Sequence, residues 1–433
     1  MPNEHFLDLL LLALGLGAFL TPFLPFSPLT IDVLNLRRDT QLAIYRWRQW
    51  CWLAGGLAFA LLAVRLVLAG DAAAGTLGAW LAATMVILAV LYWTGYVPFV
   101  MSPPAASTLL PAYDACRRVG PQAVVLGLEL EGASRAYLRD QISRPHFFRD
   151  VLDDQPLTLT YCILCNSATA FDSTLDGRVL NLRCVTAYNN NIVFEDEASG
   201  NFIQQLDGAV IDGPDRGRRL PMLPVAMTTW GEWVRLHPTT TLYFAPSTAL
   251  RDRLVDRMLA WMIPISRLAK RTTPWHRVRG TLDLRQPAMS FVLGVEAGGE
   301  QCAYPISALV RQPVVNDEIA GEPIVVLYDT GRDIAQVFSR RLDEHTLNFS
   351  TGSADAVARD SATGSSWNAA GSAIDGPLAG RRLTAIPHFN KLFWFSWALF
   401  KPATRVWSGS SEQARKPIES SPMPGNTIQG FEA

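Results

Sequence analysis

The apolar positions change their period near residue 101. Up to Met101 they come as three long runs, Phe6 to Phe26, Trp50 to Ala69 and Leu77 to Met101. Each approaches the roughly 20 residues an α-helix needs to cross the hydrocarbon core of a bilayer. Beyond Met101 the runs shorten, alternate and are punctuated by Gly, Asp and Pro, which is the pattern of strands and turns. The chain therefore predicts a membrane protein with an α-helical transmembrane N-terminus and a mainly β (α+β) soluble region. Strands are expected at about Ala123 to Leu130, Leu157 to Ile163, Ala168 to Phe171, Val179 to Val185, Ile192 to Phe194 and Leu242 to Phe244. Short helices are expected at Thr229 to His237 and Phe393 to Phe400, their tryptophans packing on the sheet, since large rings supply much of a domain's buried area.

The pattern of the soluble region occurs twice. VLGLE (Val125 to Glu129) and Ala136-Tyr137 lead to LTLTYC, and VLGVE (Val292 to Glu296) and Ala303-Tyr304 lead to IVVLYD. IDGP recurs at Ile211 and Ile374, GRRL at Gly217 and Gly380, and Trp233 with Pro238 matches Trp397 with Pro402. Matches in one order point to two tandem repeats. The expected domains are a membrane region at 1–101, a linker at 102–121, a first repeat at 122–246, an inter-repeat segment at 247–285, a second repeat at 286–407 and a disordered tail at 408–433. The inter-repeat segment carries Leu250, Leu254, Met258, Met262 and Leu268 among Arg and Lys at broadly helical spacing. It reads equally as an amphipathic helix on the membrane surface or as a helix packed between the repeats.

Composition sharpens the membrane reading. Net charge is −1, with basic and acidic residues nearly balanced, so the chain lacks the basic face that a nucleic-acid partner requires; the bilayer and a membrane-protein partner are the partners expected. MPNEHFLD has no Lys or Arg ahead of the first run and no clear small-x-small site follows it, so a retained helix is expected and not a cleaved signal peptide. Arg37, Arg38, Arg46 and Arg48 lie between the first two runs and only Asp71 between the second and third. Short positively charged loops stay cytoplasmic. This places the soluble region, starting with Arg117 and Arg118, in the cytoplasm behind a multi-pass anchor in the plasma (inner) membrane. Arg65, inside the second run, is expected to snorkel to the interface.

Six cysteines are scattered except for one pair, Cys162 and Cys165 in YCILCNSATAFD. A C-x-x-C brings two sulfurs close enough for a disulfide or for two bonds to one soft transition metal. A redox pair needs one thiol of lowered pKa. A metal would need further ligands from a distance, with His146, Cys184 and Asp172 as candidates. The bland alternative is that both are small buried side chains. The equivalent positions in the second repeat are Asp329 and Arg332, so the architecture tolerates loss of the thiols. Asn189, Asn190, Asn191 and Asp196 follow in the next hairpin; a turn role is preferred for them over a polar pocket. Asp212 and Asp375 read as turn residues before Gly and Pro. His5, His237, His276, His345 and His388 show no ligand spacing, and phosphate loops, nucleophile elbows and dinucleotide fingerprints are absent.

YCILCNSATAFD, with NNNIVFEDEASG, IDGP and WGEWVRLHP, resembles the DUF3179 family, bacterial proteins with a YCPLCxxAxxFD signature. The second half of that family resembles AYPISALVRQPVVNDEIAGEPIVVLYD and DSATGSSWNAAGSAIDGPLAGRRL. The resemblance spans about Gln122 to Trp407 and leaves out the membrane helices. Here RPHFFRDV stands where the family has a WHEIVND-like stretch, shifting His146 by one position; Ile163 replaces a Pro, and Ile203 a Trp that survives as Trp367. Family members are often exported, which would place the domain outside. The resemblance implies a site at the cysteines. The expected function is a membrane-anchored thiol-redox or soft-metal site at Cys162 and Cys165, with His146 as a third metal ligand; the alternative is a non-catalytic binding or assembly module of a membrane complex.

Overall fold

The computed structural model describes residues 6–26, 29–104, 106–263, 265–268, 270–353 and 356–409. The tail expected to be disordered lies outside these residues apart from its first two positions. Among the described residues three helices are long and apolar enough to cross a membrane, over Phe6–Pro25, Arg48–Ala69 and Ala72–Gly95. The third starts at an N-cap, Asp71, whose carboxylate accepts the Ala74 N–H at 2.6 Å. It ends at Gly95, before the apolar run does, because Pro98 has no N–H to continue the ladder and instead opens a separate turn, Val97–Val100. The first two helices touch through glycine. A Cβ on Gly15 would lie 2.6 Å from the Phe59 ring and one on Gly55 would lie 3.1 Å from the Gly15 carbonyl, so small residues set this close crossing. Arg65 meets Asp8 of the first helix at 2.7 Å, where snorkelling alone was expected; a charge near a helix end is here offset by an opposite one.

Beyond the membrane-length helices the chain is mostly β. In one sheet Thr108–Pro111, Thr241–Phe244, Ala133–Leu138, Val124–Leu130 and Ala226–Thr229 lie side by side; another runs His388–Phe393, Phe291–Ala297, Glu300–Pro305 and Arg405–Val406. Thr108–Pro111 pairs antiparallel with Thr241–Phe244, so part of the expected linker is a strand. Phe147–Leu152, Gln155–Cys162 and Ser167–Asp172 form a meander, and so do Val314–Ile319, Glu322–Asp329 and Ile334–Ser339. Short-stranded sheets follow each, from Leu182–Tyr188 to Val210–Asp212 and from Phe349–Thr351 to Ala373–Asp375.

The helices Trp230–Leu236 and Trp394–Phe400 each press an indole onto the sheet beneath. Gly127 and Gly294 make room for them: an added Cβ would lie 2.3 Å from Trp233 and 2.5 Å from Trp397. Each buried indole N–H is satisfied, Trp233 donating to Thr240 Oγ1 and Trp397 to Thr404 Oγ1, both at 2.9 Å.

The connection between the first two membrane-length helices docks on the β body. Leu42 and Tyr45 pack with Val185, Val193 and Phe202. Tyr45 donates its hydroxyl to Glu195 at 3.0 Å, Arg48 lies 3.5 Å from the same carboxylate, and Arg46 pairs with Asp212 at 2.9 Å. Two of the four arginines used to orient the chain are thus also bonded to the body.

Candidate functional site

Alternation in LTLTYC buries Leu157, Leu159 and Tyr161 on one face and Thr158, Thr160 and Cys162 on the other, so both faces of this strand are inside the protein. The hairpin closes with Cys162 opposite Ser167 and Tyr161 opposite Ala168. Cys165 lies in the turn between them. Asn166, at φ 51°, takes the left-handed conformation that the turn needs, as Asn does more readily than most residues. Tyr161 donates its hydroxyl to Asn166 Oδ1 at 2.7 Å, and Asn166 Nδ2 donates to the Lys391 carbonyl at 2.6 Å. The turn is thereby tied to the second half of the body.

Both thiols are free and fully buried, and their surroundings differ. Cys162 donates its S–H to the Asn190 carbonyl at 3.2 Å. Burial pushes its pKa well up, and the neighbouring Cys165 sulfur pushes it further the same way. Cys165 has one fixed donor, one hydroxyl that can donate or accept, and the Cys162 carbonyl at 3.9 Å as an acceptor for its own S–H. Asn191 Nδ2 donates to its sulfur at 3.3 Å and the Ser167 hydroxyl lies at 3.0 Å. Burial raises the Cys165 pKa, but hydrogen bonds from Cys162, Ser167 and Asn191 outweigh it and hold the thiol below its ordinary value.

These donors are held from behind. Asn191 gives its second N–H to Gln205 Oε1 at 2.6 Å, and its Oδ1 accepts from Gln204 Nε2 and from the Leu206 N–H. Gln205 Nε2 in turn donates to Thr160 Oγ1 at 2.8 Å and Thr169 Oγ1 at 3.0 Å. The Ser167 proton has two acceptors within reach, Gln205 Oε1 at 2.9 Å and the Cys165 sulfur. Because Asn191 already supplies Gln205 Oε1, Ser167 can turn to a thiolate without orphaning the glutamine. The groups that face the sulfur keep a partner in both settings, which lowers the cost of placing a charge there, while Gln204 Oε1 further back is buried without one.

Other predicted residues lie elsewhere. His146, at φ 76°, donates Nδ1–H to the Tyr161 carbonyl at 3.0 Å. Burial pushes its pKa down to about 4, opposed by the Tyr161 hydrogen bond. Cys184 is buried, and burial pushes its thiol well up. Asp172 caps the Thr174 N–H at 2.8 Å. Among the described residues no group of three or more His, Cys, Asp and Glu is placed to hold a metal ion. The asparagine run divides: Asn189 and Asn190, both at positive φ, bond the backbone of Arg279 and His276, whereas Asn191 reaches Cys165. Asp196, Asp212 and Asp375 each accept backbone N–H groups in turns.

A cleft of roughly 400 Å³ lies over the cysteine turn, with Ile163 and Asn166 in its floor and Arg139, Arg332 and Lys391 in its walls. In the second half the hairpin position of Cys162 is held by Asp329, opposite Ile334. Its carboxylate accepts the N–H groups of Gly331 and Arg332 at 3.0 Å and pairs with the Arg332 guanidinium at 2.8 Å. One hairpin turn carries two thiols and the other an ion pair. Ser167 lies within the cysteine motif and meets the pair inside one hairpin, whereas Gln205 carried no motif signal, because it reaches Ser167 only once distant strands are folded together.

The molecule is thus a mostly β body on three membrane-length helices, with an unequal pair of buried thiols in one hairpin. It belongs to the DUF3179 family, described as a protein family of unknown function, whose model matches residues 95–404. No curated protein and no solved structure matches the chain.

Proposed function

We propose that Cys162 and Cys165 form a thiol–disulfide exchange pair in a membrane-anchored protein. The observation that carries this reading is the set of donors converging on the Cys165 sulfur. A merely structural cysteine needs none, because an S–H is a weak, small hydrophobe. The Cys165 thiolate attacks one sulfur of an incoming disulfide; the bond between the two substrate sulfurs breaks and a mixed disulfide forms. Cys162 then loses its proton and attacks Cys165, which releases the second substrate sulfur as a thiolate and leaves a Cys162–Cys165 disulfide. The substrate is reduced by two electrons and the pair is oxidised by two. Access runs through the cleft above Ile163 and Asn166. A soft metal is less well supported, because no third ligand accompanies the two sulfurs among the described residues.

The two halves are read as tandem copies of one unit, supported by the matching Gly127–Trp233 and Gly294–Trp397 contacts. The proposed boundaries are 122–246 and 286–407. The body is assigned to the cytoplasmic face of the inner membrane on the arginine pattern. As a second reading, the exposed face of the helix Leu250–Met262 makes the protein an assembly or surface-binding module.

Mild oxidation of the full chain in detergent, followed by peptide mass spectrometry, is expected to show the Cys162–Cys165 bond. In Cys162→Ser, the pH midpoint for alkylation of Cys165 by a small haloacetamide is expected to rise when Asn191→Ala is added. A chain that forms no such bond and whose alkylation midpoint ignores Asn191 overturns the proposal.

A further inference from the structure

Two arginines cross between the halves of the body. Arg219 donates to Glu296 at 3.0 Å and Arg382 donates to Glu129, its Nη2 at 2.8 Å. Each arginine precedes a leucine whose N–H bonds a glycine carbonyl, Leu220 to Gly208 at 3.0 Å and Leu383 to Gly371 at 2.9 Å. Each of those glycines has positive φ, and an added Cβ would lie 2.8 Å from Phe171 in one case and 2.5 Å from Phe338 in the other. The two arrangements share these three contacts.

They differ in what completes them. Beside Arg219, Asp207 precedes the glycine and Lys401 follows the tryptophan helix. Lys401 Nζ lies 2.6 Å from Glu296 and 3.0 Å from Asp207, and Arg219 lies 3.4 Å from Asp207. Two acids and two bases are thus balanced, with Lys401 and Asp207 both buried. Beside Arg382, Ala370 precedes the glycine and His237 follows the helix. His237 stacks on Trp233 with ring centroids 4.0 Å apart, its Nδ1 3.6 Å from Glu129. Where the first arrangement has the Asp207 carboxylate, the second has a methyl group and open space.

That space is a cleft of roughly 530 Å³, lined among others by Glu129, Trp233, His237, Phe338, Ala370 and Arg382. His388 also lines it. Its Nδ1–H donates to the Ile386 carbonyl at 2.8 Å, and its Nε2 is buried away from the cleft's open volume, beside the Ala335 backbone. Glu131 stands exposed at the rim and disfavours a second negative charge there.

We propose that this cleft binds a small organic monocarboxylate. Its carboxylate takes the place that Asp207 occupies in the other arrangement, between Arg382 and His237, with His237 taking up a proton on binding to supply the charge that Lys401 carries there, and its body lies against Trp233 and Phe338. The proposal is independent of the thiol reading: the site needs neither cysteine.

The test is thermal unfolding of the full chain in detergent with acetate, lactate and 3-hydroxybutanoate, against the corresponding amides and sodium chloride at equal ionic strength. The carboxylates are expected to raise Tm and the amides and chloride are not. Ala370→Asp supplies the missing carboxylate from the chain itself. It is expected to raise Tm without ligand and to weaken apparent carboxylate affinity at least about tenfold. Ala370→Leu fills the space without charge and is expected to lose the response with no such gain. Asp207→Ala opens the balanced arrangement and is expected to lower Tm, with carboxylates restoring part of the loss. Equal responses to carboxylates and amides in the wild type, or an unchanged carboxylate response in both Ala370 variants, overturn the proposal.

Discussion

His146 is a buried base whose place in the fold gives acid lability a definite sign. Its ring is enclosed, its Nδ1–H is committed to the Tyr161 carbonyl, and burial pushes its pKa from 6.5 down to about 4. The unfolded chain therefore binds a proton that the folded chain refuses. Its share of stability is complete above pH 6.5 and is lost as pH falls from 6.5 towards 4, by at most about 3 kcal/mol for a shift of this size. His146→Asn retains an amide donor for Tyr161 and tolerates positive φ. Denaturant titrations of this variant at pH 7, 6, 5 and 4.5 are expected to show a shallower loss than wild type. His388 and His237, also depressed by burial, keep part of the slope. An unchanged slope would mean that His146 is not held neutral. At this scale the sequence made the cysteine pair legible, since both thiols lie within one turn. It offered Asn191 for a polar pocket but favoured a turn role, and it hid Gln205; these reach the site from 26 and 38 residues beyond Cys165 and Ser167, and no local pattern encodes such contacts.

Among the elements, long periodic ones were readable and short or two-sided ones were not. The tryptophan helices fall within a residue or two of expectation, because the spacing of Trp233 to Pro238 and of Trp397 to Pro402 marks them within a short stretch. TLLP at Thr108–Pro111 is too short to show alternation and becomes a strand only through its partner, Thr241–Phe244. The helix Leu250–Met262 was equally compatible with a membrane surface and an inter-domain packing role, and its exposure pattern combines the two. Val255 is buried in the main core, while Leu250, Leu254 and Trp261 are exposed along one side with Arg253 and Arg257 near them. Arg251 lies over the Phe99 ring at 3.8 Å, which ties the helix to the chain just beyond the third membrane-length helix. An apolar stripe flanked by arginines at that location fits the headgroup boundary of a bilayer. In nanodiscs containing lipids brominated near the headgroups, Trp261→Phe is expected to lose a quenched component of tryptophan fluorescence relative to wild type. Equal fractional quenching of the two chains would remove this helix from the membrane surface.

For the whole molecule, the membrane-length helices fix a relation that does not depend on which side is which. With three spans, the connection before Arg48 and everything after Gly95 emerge on the same face of the bilayer. The contacts agree, since Tyr45, Arg46 and Arg48 bind Glu195 and Asp212 of the body. The three membrane-length helices were legible because length and apolarity are local properties; the docking was not, since Tyr45 and Glu195 are 150 residues apart. The proposed cytoplasmic side rests on charge. The face that holds the body also holds Arg37, Arg38, Arg46, Arg48, Arg117 and Arg118, against only Asp71 between the second and third helices, and short loops rich in arginine resist translocation. Cys116 reports this directly, being exposed while Cys162, Cys165, Cys184 and Cys302 are buried. In a Cys51→Ser background, a membrane-impermeant maleimide is expected to leave Cys116 unmodified in intact cells and to modify it after permeabilisation. Ala72→Cys, placed at the opposite end of the spans, is expected to react in both conditions. Labelling of Cys116 in intact cells would reverse the assignment and put the thiol pair in an oxidising compartment, where the Cys162–Cys165 disulfide, and not the dithiol, would be the resting state.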